Sequence, residues 1–274
     1  MDLRLPAAAG ELTRAEQKIL DYINTNTDTF LFSSIGQLAE RLELSDATVS
    51  RFARHVGCRD FKALKSLVLE QSPGPAVKLT ATLSQGDHFS PQAWLERQRA
   101  YLEKTIQQLS TGEFDRAVEA LCSARRVFLH GKNASASMAQ LLHFRLRRLG
   151  LQVSLLPSGG SELLEGLAQA AENDLVVLFS FSKLSREGHI LLEHSRVAGY
   201  RTLAFVGRTC LPAEEQADIG LFAYRGTEKE YHSMAAPVAL LDALAVAVAE
   251  HLGQQGVDSL QALHQLKKAY FSNG

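Results

Sequence analysis

The apolar residues of this 274-residue chain change their period partway along it. Before residue 72 they recur only at helical spacing. After Val127 short β-like runs alternate with amphipathic helices, the pattern of an α/β fold with a parallel sheet. One core cannot serve both patterns, so two domains of different class are expected, and the length suffices for both. The break falls in SPGPAVKLTATLSQGD, Ser72 to Asp87, where two prolines and two glycines interrupt the helical pattern. The expected division is an all-α domain over 1–74, a linker over 75–90, and an α/β doubly wound parallel sheet with leading and trailing helices over 91–274.

Composition narrows the classes. Hydrophobic residues make up 46% and charged residues 22%, which excludes a mainly disordered chain. The 29 basic and 30 acidic residues nearly balance, so the protein is not coated in positive charge, although a local basic face remains open. Cys58, Cys122 and Cys210 are widely spaced and lack a CxxC or Cys/His ligand pattern, which points to reduced thiols and to no metal site. The richest apolar run, about Ala235 to Ala249, carries Asp242 and is followed by Glu250, and reads as a buried helix rather than a membrane span. The start, MDLRLPAAAGEL, has no charged region leading into a long apolar stretch, so a cytoplasmic location is expected.

Within the first domain, Thr13 with Glu16 has the spacing of a capping box and precedes Ile19, Leu20 and Ile23 on one face. Ser34 with Gln37 repeats the device ahead of Ile35, Leu38, Ala39 and Leu42. Glu43 and Leu44 then lead to Ser45, a good N-cap, and a helix that buries Val49, Phe52, Ala53 and Val56. Two helices so closely joined form a helix-turn-helix unit. At 100° per residue the opposite face of the last helix is centred on Ala47, Arg51 and Arg54, flanked by Thr48 and Ser50. Small residues permit close approach to a major groove, hydroxyls reach phosphate or base edges, and arginine grips guanine or phosphate with two donors. Lys62 and Lys65, on a helix beginning near Phe61, suit backbone phosphates. Alternatively, the same residues make a small helical bundle with a solvated charged face.

In the second domain, Val127 to Leu129 reads as a strand, followed by a turn with Gly131 and Ser135 and a helix ending at Gly150. A further strand, Leu175 to Phe179, leads into Ser180, Ser182 and Ser185 before another helix. Such loops lie at the carboxyl ends of parallel strands, where open sheets bind ligands and helix N-termini offer free N–H groups to anions. Three hydroxyls there suit a phosphate, while turn and capping roles account for the same residues without a ligand. Strands at Thr202 to Val206 and near Ile219 to Phe222 continue the alternation.

The segment SIGQLAERLELSDATVSRFARHVGCRDFKALKSLV resembles the helix-turn-helix of RpiR-type regulators, with matches at Ser34, Ile35, Leu38, Ala39, Ser45, Ala47, Thr48, Val49, Arg51, Phe52, Gly57, Phe61 and Lys65. About Arg126 to Gly253 resembles the SIS domain, a phosphosugar-binding fold of isomerases and of RpiR-type regulators. There Gly131, Ser135 and Gly150 match the first loop and its helix, with Asn133 in place of a second glycine. Ser180, Ser182 and Ser185 match the second loop as implied phosphate ligands, with Lys183 in place of a glycine. Lys183 either adds a cation to the site or fills space that a ligand needs. Ser233, in YHSMAAP, is expected beside the pocket or as a helix cap.

The resemblance implies a transcriptional regulator that binds double-stranded DNA as a homodimer or homotetramer, with a sugar phosphate as effector and no cofactor. Two other readings stand beside it. An isomerase would need a base such as Glu187 or His130, and a DNA-binding scaffold with a vestigial sugar site would fit the altered loops at Asn133 and Lys183.

Overall fold

A computed structural model describes residues 3, 5, 12–71, 78–79, 82–83, 88–227 and 230–271. The chain divides into two compact units, residues 1–84 and 85–274. Most of the linker expected over 75–90 lies outside the described residues.

Over residues 12–71 the first unit is a bundle of helices α1 to α5. Helix α1 (Arg14–Thr25) begins at a complete capping box, in which Thr13 accepts from the Glu16 amide and the Glu16 side chain accepts from the Thr13 amide. Helix α2 (Thr27–Phe32) is one the sequence pattern does not reveal. It brings Phe30 edge-on to Phe61, with ring centroids 5.5 Å apart. Helix α3 (Ile35–Leu42) starts at the second box, Ser34 with Gln37, and stops at Glu43, whose φ of 54° turns the chain into the left-handed region. Helix α4 (Asp46–His55) is capped by Ser45, and at the start of α5 (Phe61–Gln71) the Asp60 carboxylate accepts from the Ala63 amide at 2.8 Å. Ile19, Ile23, Phe30, Leu38, Val49 and Phe52 meet in a fully buried core. Each such side chain contributes about 1.5–3 kcal/mol by burial. The Glu16 carboxylate also pairs with His55 Nδ1 at 2.8 Å, joining α1 to α4.

The second unit opens with α6 (Pro91–Gln108) and α7 (Thr111–Ser123), separated by Ser110, which caps α7. The apolar spacing of Trp94, Leu102 and Ile106 does not mark the buried face of α6. That face is Gln98, Tyr101 and Thr105, and Ile106 is 69% exposed. Then follow β1 (Val127–Gly131), α8 (Ala134–Arg148), β2 (Val153–Leu155), α9 (Gly160–Leu167), β3 (Leu175–Ser180), α10 (Arg186–Ala198), β4 (Arg201–Val206), β5 (Ile219–Phe222), α11 (Ala235–Leu252) and α12 (Gln254–Phe271).

The five strands are parallel in the order β2-β1-β3-β4-β5, as the doubly wound reading expects. Alternate residues feed two cores: Val127, Leu129, Val177 and Phe205 pack under α7, α8 and α11, while Phe128, Val176, Leu178 and Ala204 face the α9 and α10 side. By length and hydropathy α11 could cross a membrane, but Leu240, Leu241, Leu244 and Val248 pack it into the first of these cores. Just before β3, the buried Asp174 carboxylate takes two hydrogen bonds from Arg125, at 3.0 and 2.9 Å, two from Arg126, at 2.8 and 3.4 Å, and one from the Ala171 amide at 3.0 Å. Burial alone would raise its pKa. The two guanidiniums and the amide outweigh that and hold the carboxyl far below the usual range.

Candidate functional site

In the first unit the candidate DNA surface is the outer side of α4. Ser45 Oγ accepts from the Thr48 amide at 3.2 Å and lies 2.9 Å from the Thr48 hydroxyl. Ala47, Arg51 and Arg54 are exposed, opposite the buried Val49 and Phe52. Arg51 donates weakly along its own helix, to the Ala47 carbonyl at 3.3 Å and Thr48 Oγ1 at 3.4 Å. Arg54 donates to Ser50 Oγ at 3.0 Å. No described carboxylate pairs with either arginine, so both guanidiniums retain donors for an anion. Lys62 is exposed on α5. Lys65 is instead half-buried over Phe61 and donates to the Ser33 carbonyl at 3.1 Å, tying α5 to the end of α2.

In the second unit, β1 and β3 are neighbours whose crossovers leave toward opposite edges, through β2 on one side and β4 on the other. Their carboxyl ends form the topological switch point, where such sheets bind ligands. Gly131 ends β1, and a Cβ there would stand 2.4 Å from the Ser135 carbonyl oxygen, so only glycine lets the turn close this tightly. Asn133 keeps a glycine-like backbone, φ 53° and ψ −127°, and starts α8 without a side-chain cap. Ser135 is half-buried in the first turn of that helix.

At the end of β3, Ser180 and Ser182 border a small hollow of about 10 Å³ between β3, β4 and α10, with Leu184, Val206 and Arg208. Arg208 is paired with Glu215. Ser185 lies at the same loop but its Oγ caps α10, accepting from the Gly188 amide at 3.1 Å. Lys183 is half-buried between these serines in sequence. Ser233 is buried, and its Oγ accepts from the Ala235 amide at 3.2 Å near the start of α11.

Two titratable groups flank the loops. Lys132 pairs with Glu187 at 2.9 Å. Burial raises the Glu187 pKa, but Lys132, the residue's own amide and Ser185 outweigh it and keep the carboxyl below its ordinary value. His130 is 4% exposed, with the Pro157 carbonyl as the backbone acceptor facing its ring. Burial lowers its pKa, opposed by the Glu187 charge and the Pro157 carbonyl.

The pattern of residues gives no notice of Arg225. It follows β5, half-buried, with Nη2 3.2 Å from Ser182 Oγ and its guanidinium carbon 4.5 Å from the Phe181 ring centroid. Burial lowers its pKa to about 10. The available signal was a basic residue beside a glycine just beyond the carboxyl end of a strand.

Comparison with known proteins agrees with both units. Residues 2–72 match the helix-turn-helix domain of the rpiR family, and residues 120–247 match the SIS domain. The chain is 27% identical over 276 residues to the HTH-type transcriptional regulator HexR of Pseudomonas aeruginosa, covering 94% of this chain and 91% of that protein. It is 28% identical over 216 residues to an HTH-type transcriptional regulator of Haemophilus influenzae, 76% of this chain and 74% of that one. Among solved structures, the Vibrio vulnificus NanR protein complexed with ManNAc-6P has the same fold, with TM-score 0.60, 20% identity and 93% of both chains covered. The sugar isomerase domain of an RpiR transcription factor from Sphaerobacter thermophilus aligns at TM-score 0.60 and 25% identity, covering 64% of this chain and 98% of that one.

Proposed function

This chain belongs to the RpiR family of transcriptional regulators, a helix-turn-helix domain followed by a SIS domain, and from that premise we propose that a small phosphorylated sugar held at the switch point controls the binding of α4 to double-stranded DNA. The observation that carries the reading is the gathering of Ser180, Ser182 and Ser185 on the loop between β3 and α10, beside the turn that follows β1. Hydroxyls and N–H groups hold a dianionic phosphate without the cost of burying several cations. Gly131, Ser135, Lys183 and the capped start of α10 at Ser185 complete the ligand set, with Ser233 at its border. The complex of NanR with ManNAc-6P supports a sugar phosphate as the class of effector.

Arg51 reads DNA from the exposed face of α4, with Arg54, Ser45, Ala47, Thr48 and Ser50 around it, and Lys62 adds charge toward the phosphates, while Lys65 holds α5 to the end of α2. A homodimer, or a homotetramer built from it, sets two α4 helices about one DNA turn apart on a palindromic operator in the cytoplasm. The effector shifts that arrangement only by its difference in affinity for the bound and unbound forms. The protein acts as a sensor without cofactor or metal rather than as an isomerase. Its two possible bases support this: Glu187 is committed to Lys132, and His130 is sealed from solvent.

Selection of genomic fragments bound by the full chain, with and without a phosphorylated-metabolite extract, tests the reading. A palindromic fragment whose recovery changes with the extract is expected. Recovery of fragments without any sequence in common, or indifference to the extract, overturns it.

A further inference from the structure

The guanidinium of Arg225 has a hydroxyl and a thioether as its acceptors, Ser182 Oγ at 3.2 Å and Met234 Sδ at 3.5 Å. No carboxylate among the described residues pairs with it. Its guanidinium carbon lies over the Phe181 ring, 4.5 Å from the centroid. A half-buried cation with no counter-charge among the described residues is well placed for an arriving anion. Phe181 and Ser182 are consecutive members of the loop that holds the proposed phosphate site, so the guanidinium stands at that loop and not at a separate surface.

The segment that carries Arg225 has a second side. Tyr224 donates its amide to Thr105 Oγ1 at 3.0 Å and packs edge-on to Tyr101, centroids 5.1 Å apart, on helix α6. The Tyr101 hydroxyl donates to Glu230 at 3.3 Å, and Tyr231 lies against Trp94, centroids 6.1 Å apart. Gly226, at φ 102°, passes so close to Tyr101 that a Cβ would stand 2.9 Å from its hydroxyl oxygen. The segments 223–227 and 230–234 therefore touch the serine loop on one side and α6, the first helix after the linker segment, on the other.

We propose that Arg225 binds the effector's phosphate together with Ser182, and that the segment carrying it transmits the presence of this anion to helix α6. The proposal rests on the sugar-phosphate reading above. It adds a second cation, held against Phe181, and a route away from the site. Charge compensation of Arg225 draws the guanidinium toward the phosphate and moves Tyr224 and Tyr231 against α6.

Trp94 is the only tryptophan in the chain, so its emission reports this route. The experiment titrates glucose 6-phosphate, inorganic phosphate and, as a control, glucose into the full chain, following thermal stability and Trp94 fluorescence. The phosphate-bearing probes should stabilise the wild type and shift its emission, and glucose should do neither. Arg225→Gln should weaken both responses about tenfold or more, with Arg225→Lys between, as expected for loss of a charge-assisted bond. Without ligand, Arg225→Gln should melt no lower than the wild type, since it removes a half-buried cation that no described carboxylate pairs with. A lower melting point for both variants overturns a ligand role. If Ser182→Ala abolishes the response while Arg225→Gln preserves it, the serine site stands and the role of Arg225 falls. If no phosphate probe stabilises the wild type, both fall. Stabilisation without any change in Trp94 emission overturns the route to α6.

Discussion

Lys132 Nζ lies 2.9 Å from Glu187 Oε2, so an ion pair joins the loop after β1 to the first turn of α10 across the switch point of the sheet. The two loops that build the candidate phosphate site are thereby held to one another. The carboxylate also lies near the N-terminus of α10, where the helix dipole favours it.

Both side chains of this pair are partly shielded, so each of Lys132→Met and Glu187→Gln should lower stability by about 1 kcal/mol. The double variant should lose clearly less than the two single losses combined, because each single change leaves the same bond broken. Urea unfolding of the four proteins measures this, and strictly additive losses would show that the pair contributes nothing as a pair.

Arg51→Ala should weaken binding to a selected operator by about 1–3 kcal/mol, roughly tenfold to hundredfold. Arg51 is exposed, so the melting temperature should change little, about 0.5 kcal/mol or less in stability. Fluorescence anisotropy with labelled DNA and a thermal melt separate the two effects. An unfolded Arg51→Ala protein would remove the residue from the DNA surface.

Asp174→Asn should destabilise the second unit by about 2–4 kcal/mol at neutral pH, since it removes a buried charge bonded by two arginines. The folded pKa lies below the unfolded value of about 3.9, so this stability is fully present above that value and is lost as the pH falls toward the folded one. The penalty of the variant should accordingly shrink on acidification. Urea midpoints at successively lower pH would contradict this if the penalty stayed constant.

His130 behaves as a neutral buried group. Its folded pKa lies below the unfolded value of about 6.5, so the unfolded chain takes up a proton first and stability declines as the pH falls below about 6.5. His130→Leu should flatten the stability profile between about pH 7 and 5. Equal slopes for the two proteins would place the acid sensitivity elsewhere.

The backbone at Asn133 supplies a test in the stabilising direction. At φ 53° and ψ −127° an asparagine is strained, and Asn133→Gly should raise stability by about 1 kcal/mol. Gly131→Ala should do the opposite, because its Cβ would meet the Ser135 carbonyl at 2.4 Å. Thermal melts of both variants decide; a destabilised Asn133→Gly would mean that the asparagine side chain makes a needed contact.

Legibility in the sequence followed the range of the interactions involved. The caps at Thr13, Ser34, Ser45 and Ser185 are local devices, completed within three residues, and the pattern reads them directly. The run Leu175 to Phe179 is apolar throughout because β3 is covered on both faces. By contrast, β2 is three residues, one half-buried and two exposed, that become a strand only by pairing with Val127 to Leu129. Helix α2 is six residues with no side-chain cap. The inner face of α6 is polar because Thr105 and Tyr101 bond to Tyr224 and Glu230, partners more than a hundred residues away. Arg225 is hidden for the same reason: its setting comes from Phe181, Ser182 and Met234, which only the fold assembles around it.

The central claim is that one chain couples a phosphate held by serines to an arginine face on DNA. The most direct measurement is the affinity of the full chain for its selected operator, titrated with the stabilising sugar phosphate, for the wild type, Arg51→Ala and Ser182→Ala. The account predicts a sugar-dependent change in wild-type affinity, weak binding with intact sugar stabilisation in Arg51→Ala, and normal binding without any sugar response in Ser182→Ala. Operator affinity that is the same with and without the sugar phosphate in the wild type would contradict it.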